Sequence, residues 1–281
     1  MNPKQIQNIM FWLMAAITVL IILPVIIIFS IIIFNGYSAL SPEFIFAIPR
    51  MGMKAGGIFP AIIGTLYLIL GTMLFSLPLG VLAAIYLTEY ATENWLTRII
   101  EIAIVNLAGV PSIVYGLFGL GLFVMFLNIG ASILAGSLTL AIMTLPVIIT
   151  ASREALMAVP KSFREVSYSL GASRWQTVSK VVLPNAIPGI ITGTILGLSR
   201  AAGETAPILF TVAAFYLPKL PASIFDQVMA LPYHIYVLST QVPNVPERIQ
   251  YGTILVLILM VFIMNISAAY LRAYFRKRKL W

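Results

Sequence analysis

The sequence predicts an all-α polytopic membrane protein with six transmembrane helices, and three observations carry that expectation. Hydrophobic residues fill 60% of the 281 positions and charged residues 9%, against about a quarter charged in soluble domains. Too little polar surface remains to cover a water-soluble globule. Several uninterrupted apolar runs exceed the roughly 20 residues that a helix needs to cross a bilayer. Basic residues gather at the ends of those runs, as orientation signals do. They form no single stripe interleaved with aromatics, so the net charge of +8 does not point to nucleic acid.

The spans are expected at residues 9–34, 60–87, 99–127, 132–151, 186–216 and 251–270. The first is too long for a signal-peptide core and no small-residue cleavage pattern follows it, so it reads as a retained helix. Residues 128–131 are short enough for a tight turn between antiparallel helices. An even number of spans puts both ends on one side. With both termini cytoplasmic, the inner segments hold twelve basic residues: Lys4, Arg98, Arg153, Lys161, Arg164, Arg174, Lys180, Arg272, Arg276, Lys277, Arg278 and Lys279. The outer loops hold four, Arg50, Lys54, Lys219 and Arg248, which favours this orientation. The chain divides into an N-terminal helix with its external loop, 1–59, and a core, 60–281, with a cytoplasmic loop at 152–185.

The external loop at 217–250 carries five prolines around an apolar stretch, 224–238, too short for a span and suited to a re-entrant or interfacial element. His234 lies there among aromatics, with no second histidine or acidic pair to suggest a metal site. The absence of cysteine excludes disulfides, thiolate catalysis and cysteine-ligated metals. A membrane-embedded hydrolase would need a nucleophile and base converging across spans, and no span offers a histidine or paired aspartates.

In the inner loop, Ser162 precedes Glu165 by three residues and Ser173 precedes Gln176 by three, each at capping-box spacing. Two short helices are expected, with Gly171 turning the chain between them and Pro184 closing the second. Phe163, Val166 and Leu170 on the first, and Trp175, Val178 and Val182 on the second, form apolar stripes. Periodicity alone leaves membrane-surface helices open as an alternative.

The fixed spacing of Glu165, Gly171, Val181, Leu183 and Pro184 resembles the E-A-A-x3-G-x9-I-x-L-P signature of ABC importer permeases, with Val166, Ser167 and Val181 as departures. The resemblance implies a MetI-like ABC importer permease fold and a coupling helix seated on a separate ATPase, with Glu165 and Gly171 as marker residues. The chain has no phosphate-binding loop of its own. An ion-driven secondary transporter would leave this spacing unexplained.

The fifth span carries Arg200 about 18 Å beyond Pro188, which points to the middle of the bilayer, and Glu204 one turn further on the same face. An arginine there costs at least about 2.5 kcal/mol, so such residues line polar paths or pair with a partner. A guanidinium presents forked donors suited to an oxyanion; simple mutual neutralisation of Arg200 and Glu204 is the alternative. Gly189, Gly193, Gly197 and Ala201 form a small-residue stripe for close helix packing. Pro207 cannot donate to the carbonyl of Gly203, so the helix is expected to kink or open beside Glu204.

The run Arg200-Ala-Ala-Gly203-Glu204-Thr-Ala-Pro207, with the segment from Pro78 through Glu89 and Tyr90, resembles phosphate importer permeases, the PstA and PstC subunits. Total length, the modest first external loop and the segment from Leu231 to Tyr236 look more like PstA. The resemblance implies two copies of a PstB-like ATPase, a PstC-like sister permease and an external PstS-like phosphate-binding protein in a bacterial or archaeal inner membrane. It also implies that ATP and Mg are used by the partner ATPase, with no cofactor bound by this chain. A sulfate or molybdate permease is the nearest rival, and the Gly-Glu-Thr-Ala-Pro run counts against it.

Overall fold

A computed structural model describes residues 3–277. Arg278 and Lys279, counted above among the inner basic residues, lie outside the described residues. Among those described, five helices are long and apolar enough to cross a membrane, or six if one bent pair is counted as a single span.

Helix α1 (Pro3–Gly36) is apolar on every side and exposes almost all of its side chains. It lies along α12 (Glu247–Lys277), with Gly36 at its end against Tyr251 and Gly252 near the start of α12. The two are therefore antiparallel. Between α1 and the next span, the short helix α2 (Pro42–Phe46), capped by Ser41, and a two-residue hairpin of β1 (Pro49–Arg50) and β2 (Ala55–Gly56) fold the external loop.

Helices α3 (Phe59–Ile85) and α6 (Ile133–Met157) form the most extensive contact in the bundle. Three of their buried hydroxyls bond back to carbonyls one turn earlier, Thr65 to Ala61, Ser76 to Thr72 and Thr139 to Ala135, at 2.7–2.8 Å, while those of Thr72, Ser137 and Ser152 make no hydrogen bond among the described residues. A polar group with no water to meet finds a partner only within the protein. Helix α3 runs on through a π-helical turn, Tyr86–Tyr90.

Two expected spans differ from the structure. The run at 99–127 is not one straight helix: α4 (Trp95–Ala108) and α5 (Ser112–Gly119), the latter extended by a π-helical stretch Leu120–Phe126, meet at 104°. Pro111, in the extended conformation at the junction, cannot continue the helix before it. The turn at 128–131 is tight as expected, with Asn128 and Gly130 at positive φ.

The fifth span does not run from 186 to 216. It begins in the inner loop as α8 (Arg174–Thr177), passes through a π-helical turn Val178–Val182 and continues as α9 (Leu183–Ala202), one helix of 29 residues. Pro184 therefore does not close the second loop helix. The π-helical turn bonds the Leu183 N–H to the Val178 carbonyl, five residues back, and this wider spacing carries the helix past a residue without an N–H. After a break at 203–205, Pro207 sits in the first turn of α10 (Ala206–Thr211), where its missing donor costs nothing.

The external segment folds back on the bundle. Ser132, Ile133 and Leu134 donate their N–H groups to the carbonyls of Thr211, Asp226 and Ile224, which satisfies the start of α6. Helix α11 (Leu231–Thr240) begins where the Leu231 N–H bonds the Thr65 hydroxyl at 2.8 Å. His234 is not an interfacial side chain: it is 2% exposed, and burial pushes its imidazole down to about 4, so it is neutral at physiological pH.

Candidate functional site

The inner loop is a helical hairpin. Helix α7 (Lys161–Ser169) starts after Pro160, whose extended backbone makes it the cap. Ser162 is consequently already inside the helix, and the box expected with Glu165 does not form. The second box does form: the Gln176 N–H reaches the Ser173 hydroxyl at 3.3 Å, and the Ser173 N–H reaches the Gln176 side-chain oxygen at 2.8 Å. Between the two helices, Gly171 takes φ +78°, with its N–H bonded to the Tyr168 carbonyl.

Each apolar stripe is divided between core and surface, and Phe163 of the first packs, half-buried, against the same cluster as Val178 and Val182. Val178 and Val182 are fully buried against α3 and α6 residues such as Ala84, Ile85 and Leu156. Val166, Leu170 and Trp175 stay 57–82% exposed at the tip of the hairpin. Glu165 is exposed beside a groove of about 500 Å³ that Lys161, Tyr168 and Arg174 also line. Val181 and Leu183 are half-buried and Pro184 is exposed.

Helix α9 packs antiparallel on α6 through the small-residue stripe. Gly189 faces Ala155, Gly193 faces Ala151, and Gly197 faces Val147 and Ile148. Extended by one more turn, this register sets Arg200 level with Thr144, near the middle of the 25-residue helix α6. Counting from Pro188 rests on a helix start that the structure moves to Arg174, yet the depth inferred from the register is also mid-span.

Arg200 lies in the last turn of α9, and Gly203 ends the helix with its N–H on the Arg200 carbonyl. The Arg200 Nε meets Glu204 Oε1 at 3.4 Å, a long single contact, with the arginine side chain 54% exposed and the glutamate 16%. The pair is asymmetric. Glu204 borders a small void among Thr65, Leu68, Leu140 and Ile208, whereas the Arg200 side chain is half exposed.

Two further ion pairs were not evident from sequence. Arg153 of α6 pairs with Glu101 of α4, and Arg164 of α7 pairs with Glu89 at the end of α3. The second joins residues 75 positions apart, and no local pattern marks it.

The chain is similar in sequence and fold to known proteins. Residues 76–281 match the family described as the binding-protein-dependent transport system inner membrane component. The chain belongs to this family. Its members are transport permeases, not enzymes, and the chain is a multi-pass membrane subunit of the ABC importer class. A probable ABC transporter permease, YqgI of Bacillus subtilis, is 39% identical over 93% of this chain and 92% of its own length. The phosphate transport system permease PstA 1 of Mycobacterium tuberculosis H37Rv is 37% identical over 80% of this chain and 72% of its own. A probable PstA of Methanocaldococcus jannaschii is 33% identical over 94% and 92%. Among solved structures, a bacterial transporter that imports alginate shares the fold at TM-score 0.68 and 14% identity, over 96% of this chain and 98% of that one. The MetNI methionine transporter, in an inward-facing form, does so at 0.61 and 14%, over 78% and 97%.

Proposed function

We propose that this permease carries inorganic phosphate into a bacterial or archaeal cytoplasm by alternating access, powered by ATP that a separate subunit hydrolyses with Mg. The observation that carries the reading is Arg200: a half-exposed guanidinium level with the middle of α6, whose contact to Glu204 is a single long one. Such a group is costly in a bilayer unless it faces a polar path, and its forked donors suit a tetrahedral oxyanion. The phosphate-transport names of several relatives support the same cargo. Sulfate or molybdate is the alternative that the guanidinium alone would also accommodate.

In this reading Arg200 and Glu204 line the path, and Glu204 holds Arg200 when no anion is bound. The hairpin tip, with Glu165, Gly171, Val166, Leu170 and Trp175, seats in one of two PstB-like ATPase subunits. A PstC-like sister permease covers the exposed faces of α4, α5 and α9, and a PstS-like protein delivers phosphate from outside. The core at 60–281 carries the path and the N-terminal unit at 1–59 flanks it. Both termini are cytoplasmic, on the side of the basic loop at 152–185.

Reconstituted with these partners, the chain is expected to give ATP-dependent uptake of radiolabelled phosphate into vesicles. Preferential uptake of sulfate or molybdate, or phosphate uptake by the chain without an ATPase, overturns the reading. Docking has its own test. Gly171→Val places a β-branched residue at positive φ, at a cost of about 1–2 kcal/mol, although no atom lies within 4 Å of the new Cβ. Co-purification of the ATPase should fall, and Gly171→Asn, which tolerates this conformation, should restore much of it. Unchanged co-purification with valine removes the docking role.

A further inference from the structure

One buried ion pair belongs neither to the anion path nor to the exposed hairpin tip. Glu89, 6% exposed, ends the cytoplasmic continuation of α3. The Arg164 guanidinium reaches it from α7, with Nη2 at 2.6 Å and Nε at 3.1 Å from Oε1. The same guanidinium donates from Nη2 to the Leu156 carbonyl at 3.0 Å and from Nη1 to the Val159 carbonyl at 2.9 Å. One side chain thus ties together the end of α3, the end of α6 and the first helix of the hairpin. Beside it, the Arg174 guanidinium stacks 5.0 Å above the Tyr90 ring. Within the hairpin, the Ser167 and Thr177 hydroxyls bond at 2.9 Å and join α7 to α8.

Stability alone does not account for such an arrangement, because well-packed apolar residues often hold a fold as well as a buried ion pair does. What a forked guanidinium adds is orientation. The hairpin already has one route inward: α8 is continuous with α9, which ends at Arg200. The clasp supplies a second, because α3 contributes Thr65, Leu68 and Ile69 to the void beside Glu204.

We propose that Glu89 and Arg164 are positioning residues that make the hairpin and the cytoplasmic end of α3 one rigid body, so that ATPase motion reaches the Arg200 and Glu204 ends of the path together. The proposal rests on the importer reading above. It requires that breaking the clasp uncouples ATP hydrolysis from transport without releasing the ATPase.

The test uses the complete importer in vesicles, reading ATP hydrolysed and phosphate accumulated in parallel. Glu89→Gln keeps the shape of the side chain and removes its charge. It should assemble and hydrolyse ATP while phosphate moved per ATP falls by about five- to a hundredfold. Arg164→Gln should do the same, and the double variant should be no worse than the lower single, because both remove one link. A ratio within about twofold of the parent in an assembled Glu89→Gln complex overturns the proposal. A second readout leaves the clasp intact. The chain has no cysteine, so spin labels at Tyr86→Cys and Ser162→Cys, both exposed sites outside the docking tip, report the distance between the two parts. One unchanged distance with and without ATP is expected, and a shift on adding ATP overturns the proposal. If the parent complex hydrolyses ATP but moves no phosphate, the cargo reading falls and the label distance still decides the clasp.

Discussion

Arg200→Gln is expected to reduce phosphate import by at least about 100-fold while the importer still assembles and binds its ATPase. The size follows from the bonds lost: two charge-assisted hydrogen bonds to an oxyanion contribute about 1.5–3 kcal/mol each, and each 1.4 kcal/mol is tenfold. Assembly should survive because the arginine is half exposed and its ion-pair partner, Glu204, stands 3.4 Å away. Arg200→Lys keeps the charge but not the fork and should fall between the two. Glu204→Gln separates path from scaffold: a resting counter-ion can be lost with phosphate import largely retained, whereas a pair needed only to hold the bundle would lose accumulation of the protein in the membrane. Normal uptake by Arg200→Gln would remove the arginine from the path.

A large effect on folding is expected at Gly193. A Cβ built there overlaps the Ala151 Cβ, and the contact is helix on helix, so neither backbone can yield without parting α9 from α6. Gly193→Leu should therefore cost more than the usual 1–3 kcal/mol of an overpacked core, at about 3 kcal/mol or above. The check is the yield of folded protein in detergent and its melting temperature. Two glycines in the same segment serve as controls. At Gly197 the nearest atom to a new Cβ is 3.6 Å away, and at Gly203 the nearest is the Arg200 carbonyl oxygen at 3.6 Å. Gly197→Ala and Gly203→Ala should both be nearly neutral, and a Gly193→Leu protein as stable as these would show that the α6–α9 contact is looser than described.

What the sequence could disclose tracks the distance over which the responsible forces act. The capping box at Ser173 and Gln176 and the turn at Gly171 depend on neighbours within one turn of helix, and both are legible. The box expected at Ser162 failed because Pro160, two residues earlier, fixes the helix start by its own φ, and capping geometry allows only one start. Pro184 misled for a similar reason. A proline ends a helix unless a wider hydrogen-bond spacing is available, and the π-helical turn that provides it has no strong composition signature. Apolar composition found the spans but not the 104° bend between α4 and α5, since lipid rewards an apolar run whether or not it is straight. The clasp of Glu89 with Arg164 was out of reach: it depends on where α3 and α6 end relative to one another, which only packing decides. Arg200 and Glu204 were legible as a pair at one-turn spacing. The unequal exposure of the two, on which the anion reading rests, was not.

The continuity of the helix from Arg174 to Ala202 has a consequence for control. A rod of 29 residues is about 43 Å long, with the hairpin at one end and Arg200 at the other, and it contains no break at which one end could move unnoticed by the other. Whatever nucleotide state of the ATPase shifts the affinity of the path for its anion, the anion must shift the affinity of the ATPase for that nucleotide state by the same factor, because binding free energies around a closed cycle are equal in both directions. On the proposed function, an anion held at Arg200 is a message sent outward along the same helix to the ATPase, and cargo becomes a regulator of its own fuel use.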